Sequence, residues 1–186
     1  MIEPWMLTYT GKRLDFRYPD IRSIDIEDIA TALCRKARFN GQHLGRVQDI
    51  YSVAQHSINV HDALVHCYPN HNEPQTRLWA LLHDATEAYL PDVHTQLKDM
   101  IPSFRELETR IEQVIAGKFR LIMPKPAVIK EIDRRMLATE RRDLMPKHGD
   151  SWGDLDIVEP FGDLLFIRPI EHVYDMFMQR YIEIVG

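Results

Sequence analysis

The stretch Leu78-Trp79-Ala80-Leu81-Leu82 runs directly into His83-Asp84-Ala85-Thr86-Glu87, and this junction constrains the chain more than any other feature. Five consecutive apolar residues on a helical segment leave no polar face, so the segment belongs in the middle of a core. It is far too short for a membrane span, which needs about 20 residues. A helix from Arg77 to Tyr89, stopped by Pro91, would carry His83, Asp84 and Glu87 at its end. Ionisable groups leaving a core in that way cost about several kcal/mol unless they are paired or bound to a metal.

The rest of the chain supplies helices to surround that segment. Met6–Thr10 and Arg13–Phe16 flank Gly11-Lys12 and suit a small β-hairpin, followed by a loop to about residue 20. Apolar residues at Ile26, Ile29, Ala30, Leu33 and Ala37 predict a first helix from Asp25. Ser52 three residues before Gln55 has capping-box spacing and starts a helix running to about Cys67. Ser103 with Glu106 has the same spacing before a helix through Ile115. Pro126 opens the next helix, to about Met145, and Pro169 introduces a terminal one over 170–184. Gly149–Asp163 reads as a long loop. The expectation is an all-α bundle of about six helices over 24–184 with a small N-terminal hairpin. With 186 residues, 1–186 makes a single domain.

Charge narrows the partners. Lys and Arg number 23 against 28 Asp and Glu, a net −5, so a nucleic-acid polymer is not expected to bind. No segment reads as a membrane span, and Met1-Ile2-Glu3-Pro4 lacks the basic, apolar pattern of a signal peptide. Two cysteines, Cys34 and Cys67, show no metal-type spacing and fit a reducing cytoplasm. There is no Gly-rich phosphate loop after a strand.

Two further residues join His83 and Asp84 as candidates: His56 in the Ser52 helix and Asp133 inside Ile129-Lys130-Glu131-Ile132-Asp133. Imidazole and carboxylate together suit a first-row divalent metal, and four such ligands leave positions for water and a phosphate oxygen. An ion so held lowers the pKa of water and neutralises phosphoryl charge.

His56, His83-Asp84 and Asp133 in that order resemble the H…HD…D signature of the HD-domain metal-dependent phosphohydrolases. The runs Tyr51–Ser57, His83–Tyr89 and Leu137–Leu144 are similar to a phage and prophage branch of that family, near the bacterial 5′-deoxynucleotidases and the phage dATP triphosphohydrolases. The resemblance covers about residues 6 to 180. It implies an HD-domain bundle in which His56, His83, Asp84 and Asp133 hold Co²⁺, Mn²⁺, Zn²⁺, Fe²⁺ or Mg²⁺. It also implies that Glu87 and Asp92 handle water and protons, that Arg38 and Lys98 hold phosphate, and that Phe39 packs on the sugar.

The resemblance therefore implies an enzyme acting on a small nucleotide and assembled as a homo-oligomer. The first expectation is hydrolysis of deoxynucleoside 5′-monophosphates to nucleoside and phosphate. The second is release of triphosphate from dATP or a related deoxynucleotide. A regulatory module that binds metal and nucleotide without turnover is the alternative of another class. The remaining histidines have no ligand-like company in the sequence and most read as surface residues. Glu140-Arg141-Arg142-Asp143 reads as an exposed helix face laced with ion pairs.

Overall fold

Gly11, at φ +80°, turns the chain between β1 (Trp5–Leu7) and β2 (Arg13–Asp15), a conformation that glycine adopts at no steric cost. The two strands pair antiparallel with Met6 opposite Leu14. Residues 3–186 are described by this computed structural model; Met1 and Ile2, at the start of the expected N-terminal segment, lie outside the described residues. Leu14 is fully buried, and Asp28 accepts from Thr10 N at 2.6 Å, so the hairpin is fastened to α1 (Ile26–Cys34). Asp25 caps that helix by accepting from Glu27 N.

The remaining helices are α2 (Val53–Cys67), α3 (Pro74–Leu82), α4 (Thr95–Asp99), α5 (Pro102–Phe119), α6 (Ala127–Leu144) and α7 (Ile170–Val185). The expected all-α architecture with a small hairpin is what the chain adopts. Helix α2 is the axis: α1, α3, α6 and α7 all pack on it. Ala54, His56, Ile58 and Val60 are therefore buried within two turns of one another. Trp79 on α3 is the largest fully buried side chain, its indole N–H donating to Ile122 O at 2.9 Å. Helix α7 lays Val173 and Phe177 on the core, and Arg180 grips Asp62 of α2 through Nε at 2.8 Å and Nη2 at 3.1 Å.

Several boundaries differ from the sequence reading. The first helix stops at Cys34 rather than continuing to Ala37. Ser52 does accept from Gln55 N at 3.2 Å, but the Gln55 amide does not close a box. It bonds instead to Phe166 O and Arg168 N, holding the segment before α7 against α2. The expected cap at Ser103 is absent because α5 begins one residue earlier, at Pro102. Pro126 and Pro169 are the residues just before α6 and α7. A short helix, α4, occupies a stretch to which the sequence assigned no element, and a 3₁₀ turn over Gly153–Ile157 lies in the stretch read as loop.

The most consequential difference is at the apolar junction. Helix α3 ends at Leu82, well before Pro91, and a separate 3₁₀ turn covers Ala85–Ala88. His83 Nδ1–H donates back to Ala80 O at 2.8 Å, bonding to a carbonyl in the last turn. Two lysines from distant segments take carbonyls freed by the break. Lys125 donates to His83 O at 2.9 Å, and Lys36 donates to the carbonyls of Glu87 and Leu90.

Candidate metal centre

Ending α3 at Leu82 turns two adjacent side chains toward one point, which a continuous helix separates by about 100°. His83 Nε2 lies 3.4 Å from Asp84 Oδ2 and 3.2 Å from His56 Nε2. The same His56 nitrogen is 3.7 Å from Asp84 Oδ2 and 3.1 Å from Asp133 Oδ1. His56 comes from the buried first turn of α2, and Asp133 from α6. Donor atoms of His56, His83 and Asp84 all fall within 4.8 Å of one another, a group that could hold a metal ion. Asp133 reaches both imidazoles, at 3.1 and 3.9 Å.

Both rings are fixed from behind. His83 Nδ1 is engaged by Ala80 O, and His56 Nδ1 by Glu140 Oε1 at 2.5 Å, so each ring presents Nε2 to the cluster. Partners of this kind set the tautomer and orientation of a metal-binding histidine. Glu140 is completely buried, which corrects the reading of Glu140–Asp143 as an exposed face at that residue, while Arg141 and Arg142 make the expected ion pairs, with Asp156 and Asp143. Seven residues after Asp133, it lies two helical turns along the same side of α6, and that spacing was the signal available in the sequence. Tyr51 OH donates to Glu140 Oε1 at 2.7 Å, and Arg38 Nη2 donates to Glu140 Oε2 at 3.1 Å.

The fields in the cluster oppose burial. Desolvation raises the carboxyls of Asp84, Asp133 and Glu140, but hydrogen bonds and charge interactions prevail and hold all three below their usual range: with His83, His56 and Arg38 for Asp84, the two histidines for Asp133, Arg38 and His56 for Glu140. Burial and the Arg38 charge pull His56 down. Glu140 and Asp133 outweigh them and carry its pKa up to about 10. Glu87 goes the other way: burial first, then the charges of Asp84 and Asp92, push it well above the usual range. Its Oε2 is buried with no hydrogen-bond partner.

Beside the cluster opens a cleft of about 340 Å³, lined by His83, Asp84, Thr86, Glu87, Lys98, Arg105, Glu108, Thr109, Glu112 and Lys125. Positions 105, 108, 109 and 112 form one stripe of α5, and every lining residue is polar or charged. Lys98 pairs with Glu108 at 2.6 Å and Lys125 with Glu112 at 2.9 Å.

The expected site residues are thus distributed in three ways. His56, His83, Asp84 and Asp133 converge, and Glu87 and Lys98 line the adjoining cleft. Arg38 stands next to the cluster, Nη1 3.5 Å from Asp84 Oδ2, without lining the cleft. Phe39 is buried, its ring beneath the Arg38 guanidinium, in a left-handed backbone conformation at φ +55°. Asp92 sits in the irregular segment after Leu90, outside the cleft lining but close enough for its charge to act on Glu87. Glu140, Tyr51, Lys36, Arg105 and Lys125 were not singled out from sequence. Among the other histidines, His61 is buried, its Nδ1 2.8 Å from Asp62 Oδ1.

Among the described residues no helix is long and apolar enough to cross a membrane. No family model matches the chain. It is 37% identical over 179 residues to the uncharacterized protein YfdR of Escherichia coli (strain K12), covering 94% of this chain and 92% of that protein. It is 40% identical over 131 residues to an uncharacterized protein of Rhodobacter capsulatus, covering 70% of this chain and 65% of that one.

Proposed function

The chain belongs to the same family as YfdR, and we propose that it is a metal-dependent phosphohydrolase of the HD-domain type acting on deoxynucleotides. One observation carries this reading: two imidazole Nε2 atoms and the Asp84 carboxylate lie within 4.8 Å of one another, with Asp133 3.1 Å from His56 Nε2 and both Nδ1 atoms already committed elsewhere. Nitrogen and oxygen donors so arranged fit Mn²⁺, Fe²⁺, Co²⁺ or Zn²⁺, with Mg²⁺ disfavoured by the two imidazoles. Such an ion, when bound, supplies Lewis acidity toward a phosphoryl oxygen and a lowered water pKa.

The chain's own residues do the rest. Burial and the charges of Asp84 and Asp92 favour the protonated form of Glu87, which stands in the cleft wall beside Asp84, placed to pass a proton to a departing oxygen. Lys36, bonded to the Glu87 and Leu90 carbonyls, holds the turn that carries it. Lys98, Arg105 and Lys125 give the cleft cations for phosphate oxygens. Arg38 remains the candidate for a phosphate contact nearest the cluster, being 3.5 Å from Asp84.

A deoxynucleoside 5′-monophosphate is the first substrate, yielding nucleoside and orthophosphate. A specific observation favours the triphosphate reading as the second: the cleft continues past Glu87 along α5 to Arg105 and Lys125, which would exchange their partners Asp99 and Glu112 for further phosphates. The test incubates metal-loaded wild type and Asp84→Ala with ribo- and deoxynucleoside mono- and triphosphates, separating products by ion exchange. Orthophosphate from monophosphates, lost in the variant, supports the nucleotidase; inorganic triphosphate from dATP supports the second reading. No turnover with any of the metals refutes both and leaves a binding module.

A further inference from the structure

Glu140 is a charged side chain with no exposed surface and no place in the cleft. Burying a carboxylate that deeply is tolerated only where its lone pairs are fully used. Here three groups use them. Tyr51 OH and His56 Nδ1 share Oε1 at 2.7 and 2.5 Å, and Arg38 Nη2 donates to Oε2 at 3.1 Å. Tyr51 is itself fixed, accepting from Asn59 Nδ2 at 3.1 Å. The Arg38 guanidinium then turns its other nitrogen to Asp84. Through His56 on one side and Arg38 on the other, a single carboxylate thus touches two residues that face the candidate ligand Asp84.

We infer that Glu140 is a positioning residue: it orients His56 so that Nε2 faces the metal and fixes Arg38 against Asp84, coupling metal affinity to a side chain that touches neither metal nor substrate. This rests on the metal reading above. A bystander carboxylate contributing only to packing would leave the metal's affinity and ligand field unchanged. A positioning one sets both, because a ring freed from its Nδ1 partner can rotate or swap tautomers. Tyr51 offers the contrast, since losing its hydroxyl leaves Glu140 bonded to His56 and Arg38.

The experiment titrates Co²⁺ into metal-free wild type, Glu140→Gln, Tyr51→Phe and Ile111→Val, by calorimetry and by the visible ligand-field absorption of the bound ion. Ile111 is a buried core position on α5 and controls for loss of stability alone. Glu140→Gln, which offers one acceptor oxygen in place of two and so cannot hold both His56 and Arg38, is expected to weaken Co²⁺ binding about 10–100-fold and to alter the absorption bands. Tyr51→Phe and Ile111→Val should stay within about threefold of wild type, with unchanged bands, because neither removes a group bonded to a ligand ring. Folded Glu140→Gln with wild-type Co²⁺ affinity and bands overturns the inference, as does an equal loss in Ile111→Val. If Glu140→Gln does not fold, Glu140→Asp, too short to reach both partners, is expected to show the same loss, and wild-type binding by it overturns the inference. Wild type that takes up no Co²⁺ refutes the metal reading itself, an outcome distinct from wild type and Glu140→Gln binding equally well.

Discussion

Metal uptake should raise the thermal midpoint of the whole chain, not of one loop. The four candidate ligands come from the first turn of α2, the two residues just after α3 and the second turn of α6, and these helices are mutually packed elements of the core. An ion that binds the folded chain alone at a hundred times its Kd stabilises it by about 2.7 kcal/mol. At about 2.1 cal/mol/K per residue, unfolding a chain of 186 residues carries an entropy near 0.4 kcal/mol/K. The midpoint is therefore expected to rise by about 7 °C. Far-UV circular dichroism and tryptophan fluorescence should report the same shift, because Trp79 is buried in the core and its ring faces Lys125, which bonds to the His83 carbonyl. Asp84→Asn should abolish the shift, since it removes one charged ligand and leaves its volume. An unchanged midpoint in excess Co²⁺, Mn²⁺ and Zn²⁺ would refute the convergence argument. A shift of equal size in Asp84→Asn would move the binding site elsewhere.

Three further outcomes follow from individual contacts. Asp62 has its carboxyl held down to about 2: burial raises it, and His61 and Arg180 more than compensate. A carboxyl depressed in the folded state stabilises above its unfolded pKa and loses that contribution as pH falls toward the folded one. Asp62→Asn should therefore cost about 1–2 kcal/mol in urea melts at pH 6, allowing for its partial exposure, and about half that at pH 3; a gap that does not narrow on acidification argues against the pairing. Ser52→Ala removes the cap of the helix that carries His56 and should cost about 1 kcal/mol by urea unfolding. Glu87→Gln replaces a carboxyl whose charged form burial disfavours, so the melting temperature should hold or rise, increasingly so at higher pH, while the turnover proposed above falls about 10²–10⁴-fold; a large loss of stability with turnover intact would remove Glu87 from the chemistry.

Much of the fold was legible because its signals are local. The 3.6-residue apolar spacing in 26–33, the Ser52 cap and the prolines before α6 and α7 each act within a turn or two. Element ends were less legible wherever a distant group decides them. Nothing between Leu82 and Tyr89 forbids helix, so sequence extends α3 to Pro91. The chain stops it earlier because Lys125 and Lys36, both remote in sequence, bond to the carbonyls of His83, Glu87 and Leu90. That long-range satisfaction of backbone groups is also what lets His83 and Asp84 face one point.

The candidate site divides along the same physical line. His56, His83, Asp84 and Asp133 stood out because ionisable groups on apolar segments demand compensation, a demand visible in sequence. Glu140 carries the same demand more strongly, with no exposed surface at all, yet its neighbours Arg141, Arg142 and Asp143 made the segment look solvated. Charge composition along a helix does not reveal which face is buried; periodicity relative to a known inward residue does. Counting from Asp133 places Glu140 inward and Arg141 a third of a turn away, where it pairs with Asp156. The candidate ligands stood out by their chemistry, whereas Glu140 required the register of a helix already anchored at Asp133.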